Sequence, residues 1–492
     1  MKLFSIRCKG LSRTPSSIRV VSLIFILIIL SLSAPAQTVT VSPDIILKNN
    51  YSYDLIPNVN EHILFYHDKG NQHVFESYDK NLAYVNNYEP SFEDSHIVPI
   101  GVLSLDTVFN FYYYYREKGD LIVKVRRFDE HLTVKDSSTL YIRKKETNEG
   151  NPRLIFSENK SKSLLFLPFE KSIHALVIDN YTFSILQNIV IYDEETNLKS
   201  EFEKIALSDK GEIVVLAYQE PSWLSKGEES LVLFYIGVQG DVAKQSFVSE
   251  QNIIDVLMEF DNRNDRIALA GLIGDADRSL ASSYYNVTIS PAMMHDETVT
   301  VIAHPLPIDL FLEAVPKKKK KVNYIQYLQS KEMLLRYDGG IVLFLEIQKE
   351  FIRRGSTQNL PMQNEYFSGR GSIDYYIEDV LVIANNGDGS PHWQKVLYKK
   401  QYAQDDENNF ASFFIFTAPS FLRVIFNDEI KNYNTVSEYQ IDPLGDLSRK
   451  SLLSTEYQDL RIRFKDALQI SDHEMYIPSE KNNKVNIVKI VF

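Results

Sequence analysis

The chain has 492 residues, 44% hydrophobic and 12% aromatic, with one cysteine and a formal charge of −12. That acidic balance disfavours nucleic acid and anionic membrane surfaces as partners. A lone cysteine excludes an internal disulfide framework, so stability must come from a core, which a chain this long is able to bury.

Residues 1–36 have the three parts of a secretory signal peptide. Lys2, Arg7, Lys9, Arg13 and Arg19 form a basic region, Val20 to Leu30 is apolar apart from Ser22, and Ser33-Ala34-Pro35-Ala36 supplies small residues for cleavage before Gln37. An apolar run of 11 residues is short of the roughly 20 that span a bilayer as a helix, and an uncleaved anchor is the alternative. Cys8 precedes the apolar run, which excludes a lipoprotein. Cleavage leaves 456 residues without cysteine and takes the formal charge to −17. The expected location is the periplasm, the outer surface or the medium. No membrane span is predicted in residues 37–492.

The rest of the chain reads as repeated strands. Asp79, Asp129 and Asp179 recur at intervals of 50, each closing a β-rich run (HVFESYD, IVKVRRFD, HALVID) and opening a short polar turn before a second run. Aspartate suits such turns because its carboxylate accepts nearby backbone N–H groups. Further hairpins begin at Leu231, Tyr284, Asp379 and Val436, and the Tyr284 hairpin is read as YYNVTISPAMMHDETVTVIA. An apolar strand precedes each hairpin, from HILFYH and VFNFYYYY to FLRVIFND, and EMYIPS followed by KVNIVKIVF supplies an eighth unit. Four strands in about 50 residues is the size of one propeller blade. Separate small sheets would expose strand rims, which a ring protects. The predicted fold is therefore all-β: a single β-propeller over 37–492, eight blades favoured and seven the alternative. TVTVSPDIIL (38–47) is expected to complete the last blade and close the ring.

The long connections fall on one face of such a ring: 219–230, 274–283, 305–321, 349–376 and 399–410. Loops on a rigid scaffold commonly carry binding. Trp223, Arg353, Arg354, Tyr366 and Arg370 are the candidate contact residues there, because interface anchors favour aromatics and Arg. The function expected is an exported, non-catalytic propeller binding a protein or glycan partner. The alternative is a carbohydrate-active enzyme, a glycoside hydrolase or lyase, with carboxylates in the central funnel. No catalytic motif, cofactor motif or metal-ligand spacing appears, so no catalytic residue, cofactor or metal is assigned. Trp393, after the turn NNGDGS, is read as packing between blades.

The stretch 379–428 contains a strand, an N/D-G turn, a Trp-containing strand, the K-x-Q segment Lys399–Gln401 and the F-N-D strand ending at Asp428. In this it resembles a group of exported bacterial proteins of unknown function predicted to be β-propellers. The resemblance implies the fold and a bacterial export context, and no functional residue carries over.

Overall fold

The structure is a computed structural model. It describes residues 37–48, 52–70, 72–94, 96–144, 150–194, 196, 198, 202–219, 230–275, 279–294, 298–312, 324–353, 372–404, 409–429, 435–453 and 459–492. The proposed signal peptide lies outside them.

The strands form eight sheets, antiparallel apart from one short parallel pair at the edge of the fourth, that follow one another along the chain as blades of an eight-bladed β-propeller. Blade 1 spans 52–88, blade 2 98–143, blade 3 153–192, blade 4 202–248, blade 5 252–305, blade 6 328–397 and blade 7 414–451. Blade 8 takes its three inner strands from 468–491 and its outermost from Thr38–Val41. Thr38 to Val41 pair antiparallel with Val491 to Val488, and Ile45–Ile46 pairs with Val485 and Lys484. Within a blade the chain runs from the centre outward, and first strands of neighbouring blades touch from blade 1 through blade 6.

Both faces of a blade are buried, and the strand sequences reflect it. In blade 3 the run Lys162–Pro168 sends Leu164 and Phe166 into a cluster shared with blade 4, while Leu165 and Leu167 enter one shared with blade 2. Side chains alternate along a strand, so two buried faces demand a continuous apolar run. Among the described residues every pair of neighbouring blades shares one such cluster. The contact between blades 1 and 2 is aromatic, with Phe75, Phe109 and Phe128 at centroid separations of 5.1–5.7 Å.

The recurrent aspartates act as the sequence suggests. Asp79 Oδ1 accepts the amides of Asn81 and Ala83 at 2.8 and 2.9 Å, Asp129 Oδ1 those of His131 and Thr133, and Asp179 Oδ1 those of Tyr181 and Thr182. In each turn a buried apolar residue (Leu82, Leu132, Phe183) takes a left-handed conformation and drops into the core.

Blade 5 departs from the expected pattern. The run from Tyr284 is no hairpin: after Leu280–Ile289 the chain makes a short 3-10 turn at Pro291–Met293. Thr298–Thr300 then pairs in parallel with Ser246–Val248, the outer strand of blade 4. The fourth strand of blade 5 is only His304–Pro305. Pro291 cannot donate to a ladder, which favours ending the strand there. The strap so formed covers an edge that blade 4 would otherwise expose.

Candidate functional site

Two places on the ring collect functional side chains. The first is the face of the long connections. Trp223, Arg354, Tyr366 and Arg370 lie outside the described residues. Arg353 ends the strand Ile341–Arg353, with its backbone opposite Ser372.

The segment read as a loop over 349–376 is in part strand. Ile341–Arg353 and Ser372–Asn385 run 13 and 14 residues, well past the other strands of their blade, and 354–371 lies outside the described residues. The next connection adds a third strand, Gln401–Gln404, alongside Asp374–Ile377. The resulting platform carries an aromatic row: Phe351 and Tyr376 at 5.8 Å, Tyr376 and Tyr402 at 5.1 Å. Tyr402 donates to Asp374 at 2.8 Å, Lys349 pairs with Glu378 at 2.5 Å, and Phe351 is 47% exposed.

Beneath the platform the K-x-Q and F-N-D motifs meet. Lys399 Nζ lies 2.6 Å from Glu346 Oε1, an ion contact outside hydrogen-bond geometry, and both side chains are essentially fully buried. Lys399 also donates to Gln401 at 2.8 Å, and Gln348 and Ser412 donate to Glu346 Oε2. Gln401 donates to the Asn427 carbonyl at 2.8 Å, and Asn427 donates to the carbonyls of Phe410 and Ile462. Burial pulls Lys399 below the ordinary lysine range, against the attraction of Glu346.

The second place is the central channel. A cavity of about 570 Å³ is lined by first strands of blades 3 to 6, including Glu158, Lys204, Glu259 and Asn262. A second, of about 590 Å³, is lined by Lys331, Glu332 and Lys465 and shares the wall residue Leu334. Glu259 reaches channel water yet is walled in by protein. That enclosure, with repulsion from Glu332 and Glu158, pushes it up to about 7 against the pull of Lys204. Burial raises Glu332 as well.

The strands here are locked together by Asp255. Its carboxylate accepts Ser330 N and Oγ at 2.7 Å and Leu272 N at 3.0 Å, tying blade 5 to blade 6. Gly271 allows this bulge, since a Cβ there would lie 2.1 Å from the Asp255 carbonyl oxygen. Among the described residues no group of three His, Cys, Asp or Glu side chains is placed to hold a metal ion, and no helix is long and apolar enough to cross a membrane.

The channel carboxylates went unassigned in the sequence because they come from three blades. Their signal is a charge breaking an apolar inner strand, as in NIIDVLMEFD and LQSKEMLL.

The raised Glu259 has a measurable consequence. Relative to its ordinary 4.5, the folded chain holds a proton that the unfolded chain releases. The contribution is complete below pH 4.5 and is lost as pH rises through 7. Glu259→Gln should therefore match the parent in thermal stability at acid pH and exceed it above neutrality, by about 1 kcal/mol once screening by channel water is allowed for. Equal unfolding curves at both ends of the range would show that the channel does not perturb this carboxyl.

The chain matches no family model and no curated protein. Among solved structures it is similar to the Nup133 β-propeller domain of Vanderwaltozyma polyspora (13% identity, 92% of this chain and 97% of that one, TM-score 0.40). It is also similar to dihydro-heme d1 dehydrogenase NirN (12%, 89% and 70%, 0.40) and to the polysaccharide lyase Uly1 (8%, 80% and 89%, 0.36). Likenesses at this level carry no argument about activity.

Proposed function

We propose that this propeller is an exported, non-catalytic binding protein that takes a protein or glycan partner on the face of its long connections. The observation that carries the reading is the blade 6 platform: two strands prolonged beyond the ring, a third recruited from the next connection, and an aromatic row upon it. Aromatic side chains on a rigid support, here with Phe351 exposed at the end of the row, are frequent anchors of an interface. The export part of the proposal rests on residues 1–36 and is tested by N-terminal sequencing of the mature protein, expected to begin at Gln37.

Phe351→Ser should sharply reduce capture of a crosslinked partner from the native source while leaving the melting temperature within about 2 °C of the parent, because Phe351 lies at the surface. Recovery of the same partner at the same yield would remove this face from consideration.

A second reading, a carbohydrate-active enzyme, is supported by the channel carboxylates and by Glu259 lying near neutrality, where a general acid works. Depolymerisation of a polysaccharide by the parent, lost in Glu259→Gln, would favour it over the first.

A further inference from the structure

On the face opposite the platform, the turns of blades 6, 7 and 8 enclose an open groove of about 820 Å³. Neither the platform nor the channel carboxylates use it. Its walls combine flat aromatic surface with carboxylates: Tyr337, Trp393 and Phe421 beside Asp338, Asp442 and Asp472.

Two of those rings are held in place. Tyr337 is 82% exposed, and an exposed tyrosine ordinarily samples several rotamers. Here the Arg263 guanidinium, from the neighbouring turn of blade 5, stacks 3.6 Å from the ring centroid and fixes one face. Trp393 donates its indole N–H to the Pro443 carbonyl at 3.1 Å. Gly445 lies flat against the same indole, where a Cβ would come within 2.7 Å of Cδ2. The ring does pack between blades 6 and 7, as the sequence reading has it, and it also forms part of the groove wall. Pinning an aromatic side chain in advance removes the entropy that a ligand would otherwise lose in ordering it.

The polar rim is rich in acceptors. Asp338 receives Arg336 at 2.6 Å and the Gly340 amide at 3.0 Å. Asp442 engages the Leu444 and Asp446 amides through Oδ1, leaving Oδ2 outside those bonds. Asp472 sits at the edge with His473 at 2.6 Å. Arg336 is paired with Asp338, Arg263 covers one face of Tyr337, and Arg423, over Phe421, is paired with Glu438, so Asp442 and Asp472 tip the groove against anions such as uronates and phosphates. The carboxylates accept hydrogen bonds from hydroxyl groups, while the polarised C–H face of a sugar ring meets the electron-rich face of an aromatic side chain.

We infer that this groove is a binding site for a neutral oligosaccharide, which stacks on Tyr337 and Trp393 and hydrogen-bonds to Asp338, Asp442 and Asp472. The site is independent of the platform on the other face. A partner bound there would neither require nor exclude it.

The protein supplies its own probe. Its tryptophans are Trp223 and Trp393, so Trp223→Phe leaves Trp393 as the reporter. Emission of the mature Trp223→Phe chain is titrated with cellohexaose, mannohexaose and chitohexaose, with a hexauronate and a lysine-rich peptide as controls. At least one neutral hexasaccharide should shift the emission saturably, and the hexauronate should not. Adding Tyr337→Ala should weaken that binding about tenfold with the circular dichroism and melting temperature unchanged, since the ring is exposed. The inference is overturned by an unmoved emission with all three neutral sugars, by an affinity unaffected by Tyr337→Ala, or by a response to the peptide alone.

Discussion

A chain beginning at Leu47 should fail to keep its ring closed. The deleted strands supply the outer edge of blade 8, pairing with Lys484–Val491 and adding Ser42 N to Ile487 O and Asn486 Nδ2 to Ser42 O at 2.9 and 3.0 Å. Ile45 is 3% exposed in the cluster where blade 8 meets blade 1, beside Leu55, Phe65 and Tyr476. Val485, Ile487, Val488 and Ile490 are fully buried on the strand they cover. Uncovering even part of four such side chains, at about 1.5–3 kcal/mol each when fully exposed, removes a large share of the roughly 5–15 kcal/mol that keeps a domain folded. Thermal unfolding of 37–492 and 47–492 followed by circular dichroism should show the shorter chain melting at least about 10 °C lower or aggregating on purification. Ile45→Asp should reproduce much of the loss by burying a carboxylate in an apolar cluster. Lys484→Ala, which breaks the exposed pair with Asp44 at 2.6 Å, should leave the melting temperature unchanged. Equal melting of the two chains would mean that the terminal strands contribute nothing to closure.

Lys399→Met should be the most damaging single change in blade 6. It leaves Glu346 buried without its cation, and stranding one member of a buried pair typically destabilises by about 3–5 kcal/mol. Replacing both, Lys399→Met with Glu346→Leu, should recover most of that, because an apolar pair escapes the desolvation that two buried charges suffer. The recovery is bounded by Ser412, Gln348 and Gln401, which lose partners in the double variant. Since Gln401 begins the third strand of the platform, the single variant should also loosen that strand, read as faster amide exchange at Tyr402 and Ala403. A single variant as stable as the parent would show that the pair carries no stabilisation.

The recurrent aspartates and the unbroken apolar strands were legible because they obey local rules. A carboxylate finds amides two to four residues on, and a strand buried on both faces must be apolar throughout, as Leu164 to Leu167 are. The meeting of Lys399 with Glu346 was not legible: the two are 53 residues apart, and nothing local distinguishes Lys399 from its exposed neighbour Lys400. The same holds for the channel, where Glu158, Glu259 and Glu332 each sit on a different blade and become one electrostatic unit only when the ring brings first strands together.

Blade 5 marks the boundary most clearly. Thr298–Thr300 has the composition of a strand, and composition places it in its own blade. The folded chain instead gives it to blade 4, because the partner of a short strand is decided by whichever open edge lies within reach after the turn at Pro291. Unbroken apolar runs, turn chemistry and repeat length are properties of neighbours along the chain, and they set the strands, the turns and a count of eight blades with seven as the alternative. Strand exchange between blades, the buried ion pair beneath the platform, the shared charge of the channel and the pinned rings of the opposite groove depend on distances between residues far apart in sequence, and only closure of the ring set those.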